Sequence, residues 1–284
     1  MVLPDANHAH RAPAFLSRRR IPCAHLTRLS SERTGAIDTY GQLCTEYYDI
    51  DKPAAPPDAL AFYLDHARRA GGPVLEPMCG TGRFLVPMRE AGLDIDGVDA
   101  SPQMLQACRA KCADLGLDVD LREGLFEDLS LPRLYAHAFI PAGSFSLLSI
   151  DSARTALERL HACLLPDATL LIDVLTGTEY RPGRSRWMGS WVERADGARI
   201  VRTILGNYEP TTRTLAMLNK YELFDGGQLV RTELEELAQQ FYSLAEFTDL
   251  AETAGFSAED VVEDFTGALA TDAAVSLQVR CRRA

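Results

Sequence analysis

The stretch Val74–Arg83, Val-Leu-Glu-Pro-Met-Cys-Gly-Thr-Gly-Arg, restricts the fold of this chain more than any other. It is a short apolar run that closes on an acid and passes into a turn bearing Gly80 and Gly82, with a helix expected at once over Phe84 to Ala91. Glycines in such a turn adopt backbone angles closed to other residues and let a ligand approach the main chain. A strand, a glycine turn and a helix in that order open a nucleotide-binding α/β unit.

The residues around it continue the pattern. Pro57 to Ala70 reads as a helix with Leu60, Tyr63, Leu64 and Ala67 at helical spacing, stopped by Gly71 and Gly72. Asp94 to Val98 reads as a second strand with Asp99 at its carboxyl end, and Ser101-Pro102 caps a helix running to about Leu115. Strand, helix, strand and helix at this spacing imply parallel strands joined by right-handed crossovers. Val119 to Leu121, Tyr135 to Ile140 and Thr169 to Val174 are the next strand candidates, with a helix from Asp151 through Cys163 before the last. Ligands sit outside the carboxyl ends of strands in such sheets, which places Glu76, Asp99, Leu125 to Asp128, Pro141 to Phe145 and Asp173 on one rim.

After Thr176 the texture changes. Residues 186 to 230 are rich in aromatic and β-branched residues and are broken by Asp-Gly at 196–197 and Asp-Gly-Gly at 225–227, the signature of antiparallel hairpins. Forty-five residues give little core of their own, so this reads as a small sheet packed over the rim, an insert over 180–232 within a domain spanning 36–284. A helix over Ser243 to Ala254 and two strands, Val261 to Phe265 and Ala273 to Cys281, able to pair as a hairpin, complete that domain. Residues 1–35 differ again. Six arginines against Asp5 and Glu32 and no steady periodicity suggest an irregular basic arm.

The glycine turn does not match a dinucleotide fingerprint, since only Gly80 and Gly82 are present, and Glu76 would repel a pyrophosphate. The acid suits a cation. A ligand with an ammonium group, a ribose and an adenine but no phosphate would place its ammonium by Glu76 and its ribose diol on Asp99, a carboxylate that only accepts. Leu125 and Phe126 would then offer an apolar slot to the purine. Tyr40, Tyr47 and Tyr48, in a helical segment within Gly35 to Asp51, either cover a pocket or seal the core edge.

With Glu76-Pro-Met-Cys-Gly-Thr-Gly82, Gly97-Val-Asp-Ala-Ser-Pro-Gln-Met-Leu105, Glu123-Gly-Leu-Phe126, Leu165-Pro166 and Ala254-Gly-Phe256, the chain resembles the class I S-adenosylmethionine-dependent methyltransferases over about residues 38 to 281. The resemblance implies an α/β, Rossmann-like, seven-stranded and mostly parallel sheet with helices on both faces. Its last strand would be antiparallel, inserted between the fifth and sixth, and the hairpins would form a lid. It further implies S-adenosyl-L-methionine as cofactor, with Glu76, Met78, Gly80, Gly82 and Arg83 around the methionyl part, Asp99 on the ribose and Ala100 and Met104 beside the adenosine. Gly124, Leu125 and Phe126 would flank adenine, Pro141 and its loop would run along the methionyl part, and Tyr40 and Tyr48 would close the site from above. Met78 stands where such proteins more often have glycine, and Pro166-Asp-Ala replaces the commoner Pro-Gly-Gly turn.

The expected reaction is methyl transfer to an oxygen or nitrogen of a small-molecule acceptor; protein or RNA methylation and a non-catalytic S-adenosylmethionine-binding regulator are the alternatives. Tyr48 and Ser144 are the catalytic candidates and Tyr221 a further pocket residue, while His137, inside a strand, reads as structural. Trp187, Trp191, Arg202 and Asn219 belong to the acceptor lid or to a dimer face. Asp173 alone does not make a metal site, so no metal is expected. The net charge of −11 speaks against DNA and anionic membranes as partners. Seven cysteines without metal-ligand pairing suggest reduced thiols in a cytoplasmic protein, and the apolar hairpins suggest a homodimer.

Overall fold

The computed structural model describes residues 40–284 except 264, 266, 267 and 272. The basic arm expected over 1–35 lies outside the described residues.

The main sheet has β1 (Val74–Pro77), β2 (Ile95–Asp99), β3 (Leu121–Glu123), β4 (Tyr135–Ile140) and β5 (Leu164–Leu175) all parallel. Beyond β5 the sheet continues with two late strands, β11 (Phe256–Glu263) and β13 (Ser276–Arg283), which pair antiparallel. The strand β13 lies between β5 and β11, so the order is β11-β13-β5-β4-β1-β2-β3, with the two-residue β12 (Ala268–Leu269) on the outer edge of β11. This is the seven-stranded order expected above. In β1 every residue is buried, as a central parallel strand covered on both faces must be. The two apolar layers that cover the sheet are built around Leu75, Ile140 and Leu157 on one side and Val74, Tyr63 and Leu105 on the other.

Helix ends follow their local chemistry. Pro57 opens α2 (Pro57–Ala70) and Gly71 closes it in the left-handed conformation, φ 67°. In α4 (Pro102–Asp114) the Ser101 hydroxyl accepts from the Met104 amide at 3.2 Å. Ser243 and Glu246 form a reciprocal capping box on α6 (Leu244–Thr253). The short α3 (Leu85–Glu90) follows the glycine turn, and α5 (Ile150–Cys163) precedes β5.

A second sheet is antiparallel: β6 (Gly183–Arg184), β7 (Met188–Glu193), β8 (Arg199–Glu209), β9 (Thr214–Asp225) and β10 (Gln228–Gln240). Both Asp-Gly signals are hairpin turns, with positive φ at Gly197, Gly226 and Gly227. The sheet runs on to Gln240, beyond the expected limit of 232. Its last strand contains Glu-Leu-Glu-Glu-Leu-Ala-Gln-Gln, residues of high helix propensity that are held extended by continuous pairing with β9. The helix α1 (Gln42–Asp51) packs Leu43, Cys44 and Tyr47 on this sheet against Val192, Ile200 and Tyr221. It has no cap of its own: the Leu43 amide donates to Glu233 of β10 at 2.8 Å, a carboxylate placed where the helix dipole favours one.

Several boundaries moved. The third strand begins at Leu121 rather than Val119, the sixth covers Phe256–Glu263 rather than Val261 to Phe265, and the last starts at Ser276. Gln278 of the last strand is buried, and its side-chain amide donates to the buried Asp173 at 3.1 Å.

His137 is structural, as its place in β4 implied: it is buried, with Nδ1 2.8 Å from the Thr169 hydroxyl. Burial pushes its pKa down to about 3, with the nearby His66 adding to the shift. An unfolded chain takes up this proton near pH 6.5 and the folded one resists until about 3, so stability falls as pH drops through that window. The variant His137→Gln is expected to lose roughly one proton's worth of the acid-side slope of unfolding free energy against pH. Denaturant titrations between pH 7 and 4 with equal slopes for both proteins would contradict this.

Candidate functional site

At the carboxyl end of β1 the chain turns sharply, and Met78, Gly80 and Gly82 take positive φ values of 60°, 56° and 78°. Left-handed backbone costs a residue with a side chain about 1–2 kcal/mol, which gives a physical reason for glycine to be the commoner residue at position 78. The two glycines do different work. A Cβ on Gly80 would meet nothing within 4 Å, whereas one on Gly82 would lie 2.5 Å from the Cys108 sulfur and 2.9 Å from Val86. Gly80 borders open space, and Gly82 lets the turn close on α4.

Asp99 ties this turn to β2. Its Oδ2 accepts from the Gly80 amide at 2.7 Å and its Oδ1 from the Ser101 amide at 2.8 Å, while its carbonyl accepts from the Gly124 amide at 3.0 Å. Burial raises its pKa, and the amides of Ser101, Gly80 and Ala100 oppose that rise by favouring the carboxylate. Of roughly four acceptor positions on a carboxylate, these amides leave room for a further donor.

Other expected site residues are placed less simply. Glu76 is only 2% exposed and lies beneath the turn rather than on an open rim. Its Oε2 has no partner among the described residues, and burial raises its pKa well above the usual carboxylate range, a rise the nearby Leu85 amide opposes. Leu125 is 51% exposed and Ala100 is exposed, but Phe126 is 4% exposed and packs in the core. The expected two-sided apolar slot therefore has Leu125 alone as an exposed wall, because the short 3₁₀ turn Phe126–Asp128 points the phenyl ring inward. Met104 is buried behind the rim. Asp173 lies within β5 rather than at its end; it accepts from Ser276 and Gln278, and burial raises its pKa while these donors and the nearby amides of Gly143 and Ala142 oppose the rise.

Beside the glycine turn opens a cavity of about 540 Å³. Tyr40, Tyr48, Arg83 and Ser144 line it from the α/β side and Arg202 and Tyr221 from the antiparallel sheet. Both catalytic candidates thus share one chamber with Tyr221. Trp187 and Trp191 are exposed instead. Tyr40, at φ 60°, joins the two walls: its amide donates to Glu235 of β10 at 2.7 Å and its carbonyl accepts from the Ser101 hydroxyl at 3.1 Å. The Tyr47 hydroxyl is 2.7 Å from that of Ser190. Burial and the nearby Cys44 raise the Tyr221 pKa far enough to keep it a protonated phenol.

Residues 74–167, which contain the glycine turn, Asp99 and the loop after Pro141, match the family model described as a methyltransferase domain. That stretch carries the similarity to the class I S-adenosylmethionine-dependent methyltransferases. Among curated relatives of the chain is the ubiquinone biosynthesis O-methyltransferase of Xanthomonas axonopodis pv. citri, 27% identical over 148 residues, which are 50% of this chain and 61% of that protein. That of Xanthomonas oryzae pv. oryzae is 28% identical over the same shares. The chain therefore spans less than two thirds of the curated relatives it matches. Among solved structures, the CcbJ methyltransferase from Streptomyces caelestis superimposes with a TM-score of 0.70 at 24% identity, over 88% of this chain and 99% of that one. An S-adenosylmethionine-dependent methyltransferase from Clostridium acetobutylicum gives 0.69 at 14% identity, over 83% and 95%. These likenesses are of fold.

Sequence reasoning missed most of the chamber floor. Ile204 and Tyr208 of β8, Met217 of β9 and Leu237 and Gln239 of β10 all line it. The signal was the period-two alternation within each strand, which selects one face once the pairing is known. Glu235 was missed for the same reason: a lone acid in an acidic run reads as solvated, yet it is buried and accepts from Asn219 at 3.1 Å.

Proposed function

We propose that this protein transfers a methyl group from S-adenosyl-L-methionine to an oxygen or nitrogen of a small-molecule acceptor. The observation that carries the reading is Asp99, set by two backbone amides next to the open space at Gly80 and alongside a chamber closed by a second sheet. The cofactor fits these residues. Asp99 has acceptor capacity for a ribose diol, Gly80 leaves the volume that a side chain would occupy, and the unpaired Glu76 Oε2 supplies negative charge beneath the turn. When bound, the cofactor supplies a methyl group on sulfonium sulfur.

The chain's own part is alignment and exclusion of water, which for a transfer between two bound molecules supplies much of the rate. Tyr40, Tyr48 and Ser144 line the chamber, which supports a role for the two tyrosines in covering the cofactor and for the loop after Pro141 in meeting the acceptor. Ser144 and Tyr48 both line the chamber, and in this reading they are the groups that orient the acceptor or relay its proton. The ubiquinone relatives are named for oxygen, and the fold neighbour KedS8 from Streptoalloteichus is a sugar N-methyltransferase, so both atoms stay within the proposal.

Calorimetric titration with S-adenosylmethionine and its demethylated product, followed by product assay on a panel of small hydroxyl and amine acceptors, tests the reading. Absence of binding would remove it, and binding without turnover across the panel would favour a regulator. A homodimer is supported by Trp187, Met188 and Trp191, exposed on and beside β7, which among the described residues pairs with β8 alone. Sedimentation velocity at micromolar concentration is expected to give twice the 31.2 kDa chain mass; a single-chain mass would exclude it. Six described cysteines are free and buried, which supports a cytoplasmic setting, and no helix among the described residues is long and apolar enough to cross a membrane.

A further inference from the structure

The chamber is electrically unlike the rest of the chain. The protein carries a net charge of −11, yet five cationic side chains line the chamber against three carboxylates. Three of the cations are close enough to disturb one another: the Lys52 pKa is lowered by partial burial and by the charges of Arg83 and Arg202.

Arg202 is the member of this group on the antiparallel sheet, and it is built in. Its guanidinium carbon lies 5.9 Å from the ring centre of Tyr47 and 5.8 Å from that of Tyr221. One nitrogen, Nη2, donates to the Asn219 side-chain oxygen at 3.2 Å. Asn219, fully buried, turns its amide nitrogen the other way, to Glu235 at 3.1 Å. The amide thus stands between acid and guanidinium, and Glu235 spends its oxygens on Asn219 and the Tyr40 amide rather than on an ion pair. Arg194 and Arg199, from the same hairpin, are paired with Glu46 at 3.2 Å and Glu193 at 3.3 Å. Arg202 has no ion-pair partner among the described residues, and its Nε is buried without any partner. A half-buried guanidinium with donors to spare, stacked on two tyrosines in a chamber with surplus positive charge, is a receptor for an anion.

We propose that the acceptor carries an anionic group, a carboxylate or a phosphate, which the Arg202 guanidinium holds against the Tyr47 and Tyr221 rings. This rests on the chamber being an acceptor site, and it narrows the acceptor to a class. Arg83, on the glycine turn, is the cation on the cofactor side; Arg202, across the chamber on β8, is the one that faces the acceptor.

Titration of protein saturated with S-adenosylhomocysteine by three probes of similar size, benzoate, phenyl phosphate and the neutral benzamide, tests it. At least one anion is expected to bind roughly tenfold or more tightly than benzamide. In Arg202→Gln that preference is expected to vanish with S-adenosylhomocysteine affinity unchanged, and Arg202→Lys to restore part of it. The retained cofactor affinity doubles as the control for folding. Equal binding of all three probes to the wild type, or binding of none, overturns the proposal. So does a loss of S-adenosylhomocysteine affinity in Arg202→Gln as large as the loss of anion affinity, which would assign the guanidinium to the cofactor. Failure of S-adenosylhomocysteine to bind the wild type would instead strike the methyltransferase reading, and the same probes titrated without it would still decide the anion site.

Discussion

Alanine at Gly82 is expected to destabilise the fold by about 2–5 kcal/mol, while alanine at Gly80 leaves the fold nearly intact and removes cofactor binding. At Gly82 two costs add. Left-handed backbone costs a residue with a Cβ about 1–2 kcal/mol, and forcing the new methyl 2.5 Å from the Cys108 sulfur adds overpacking of about 1–3 kcal/mol. That sulfur belongs to a buried side chain in the apolar layer under α4, so it has little room to retreat. At Gly80 only the backbone cost applies, because nothing lies within 4 Å of its Cβ position. The same methyl would stand in the space beside the Asp99-bound amide where the cofactor is proposed to lie. Denaturant midpoints and calorimetric cofactor affinities for both variants separate the two effects. If Gly80→Ala bound cofactor normally, the ligand would have to lie elsewhere along the rim.

Removing the Asp99 carboxylate is expected to lower cofactor affinity by roughly a hundredfold. Asp99→Ala deletes the proposed ribose acceptor and also strands the Gly80 and Ser101 amides, which it holds at 2.7 and 2.8 Å. Each stranded buried donor costs about 1–3 kcal/mol, so a loss of folding stability should accompany the loss of binding. Asp99→Asn separates the two: its one carbonyl oxygen still serves a single amide, and its nitrogen opposes the other. It should fall between wild type and alanine in stability while binding cofactor nearly as poorly as alanine. Cofactor affinity within a few-fold of wild type in both variants would exclude Asp99 from the ribose position.

Much of the α/β frame was legible because its signals are local. Pro57 and Gly71 mark both ends of α2 by backbone geometry alone, Ser101-Pro102 marks the start of α4, and β1 and β4 are apolar runs bounded by turns. What failed needed partners distant in sequence. β10 carries helix-forming residues and is a strand because β9 pairs with it along its length. Whether an acid faces solvent, a ligand or the core is likewise no property of its neighbours in sequence. Glu76 sits under the turn, Asp173 inside the sheet and Glu235 at the chamber wall, and each was legible only as an acid near a strand end or in a charged run. Phe126 was expected beside the purine, and the 3₁₀ turn over Phe126–Asp128, which no local signal announced, packs its ring in the core.

The backbone of Tyr40 bears on how this protein can be altered. One peptide unit on each side of its α-carbon is committed to a different layer, the amide to Glu235 and the carbonyl to Ser101. The next turn of chain is bound to the second sheet as well, through Leu43 to Glu233 and Gln42 to Arg231. The hairpin sheet is therefore not a detachable cassette. A chimaera exchanging only residues 183–240 for those of a protein of the same fold would strand the amide of Tyr40 and uncap the first helix. The unit that recombines cleanly is discontinuous: the hairpins together with the segment from Tyr40 to Asp51, more than a hundred residues upstream of them.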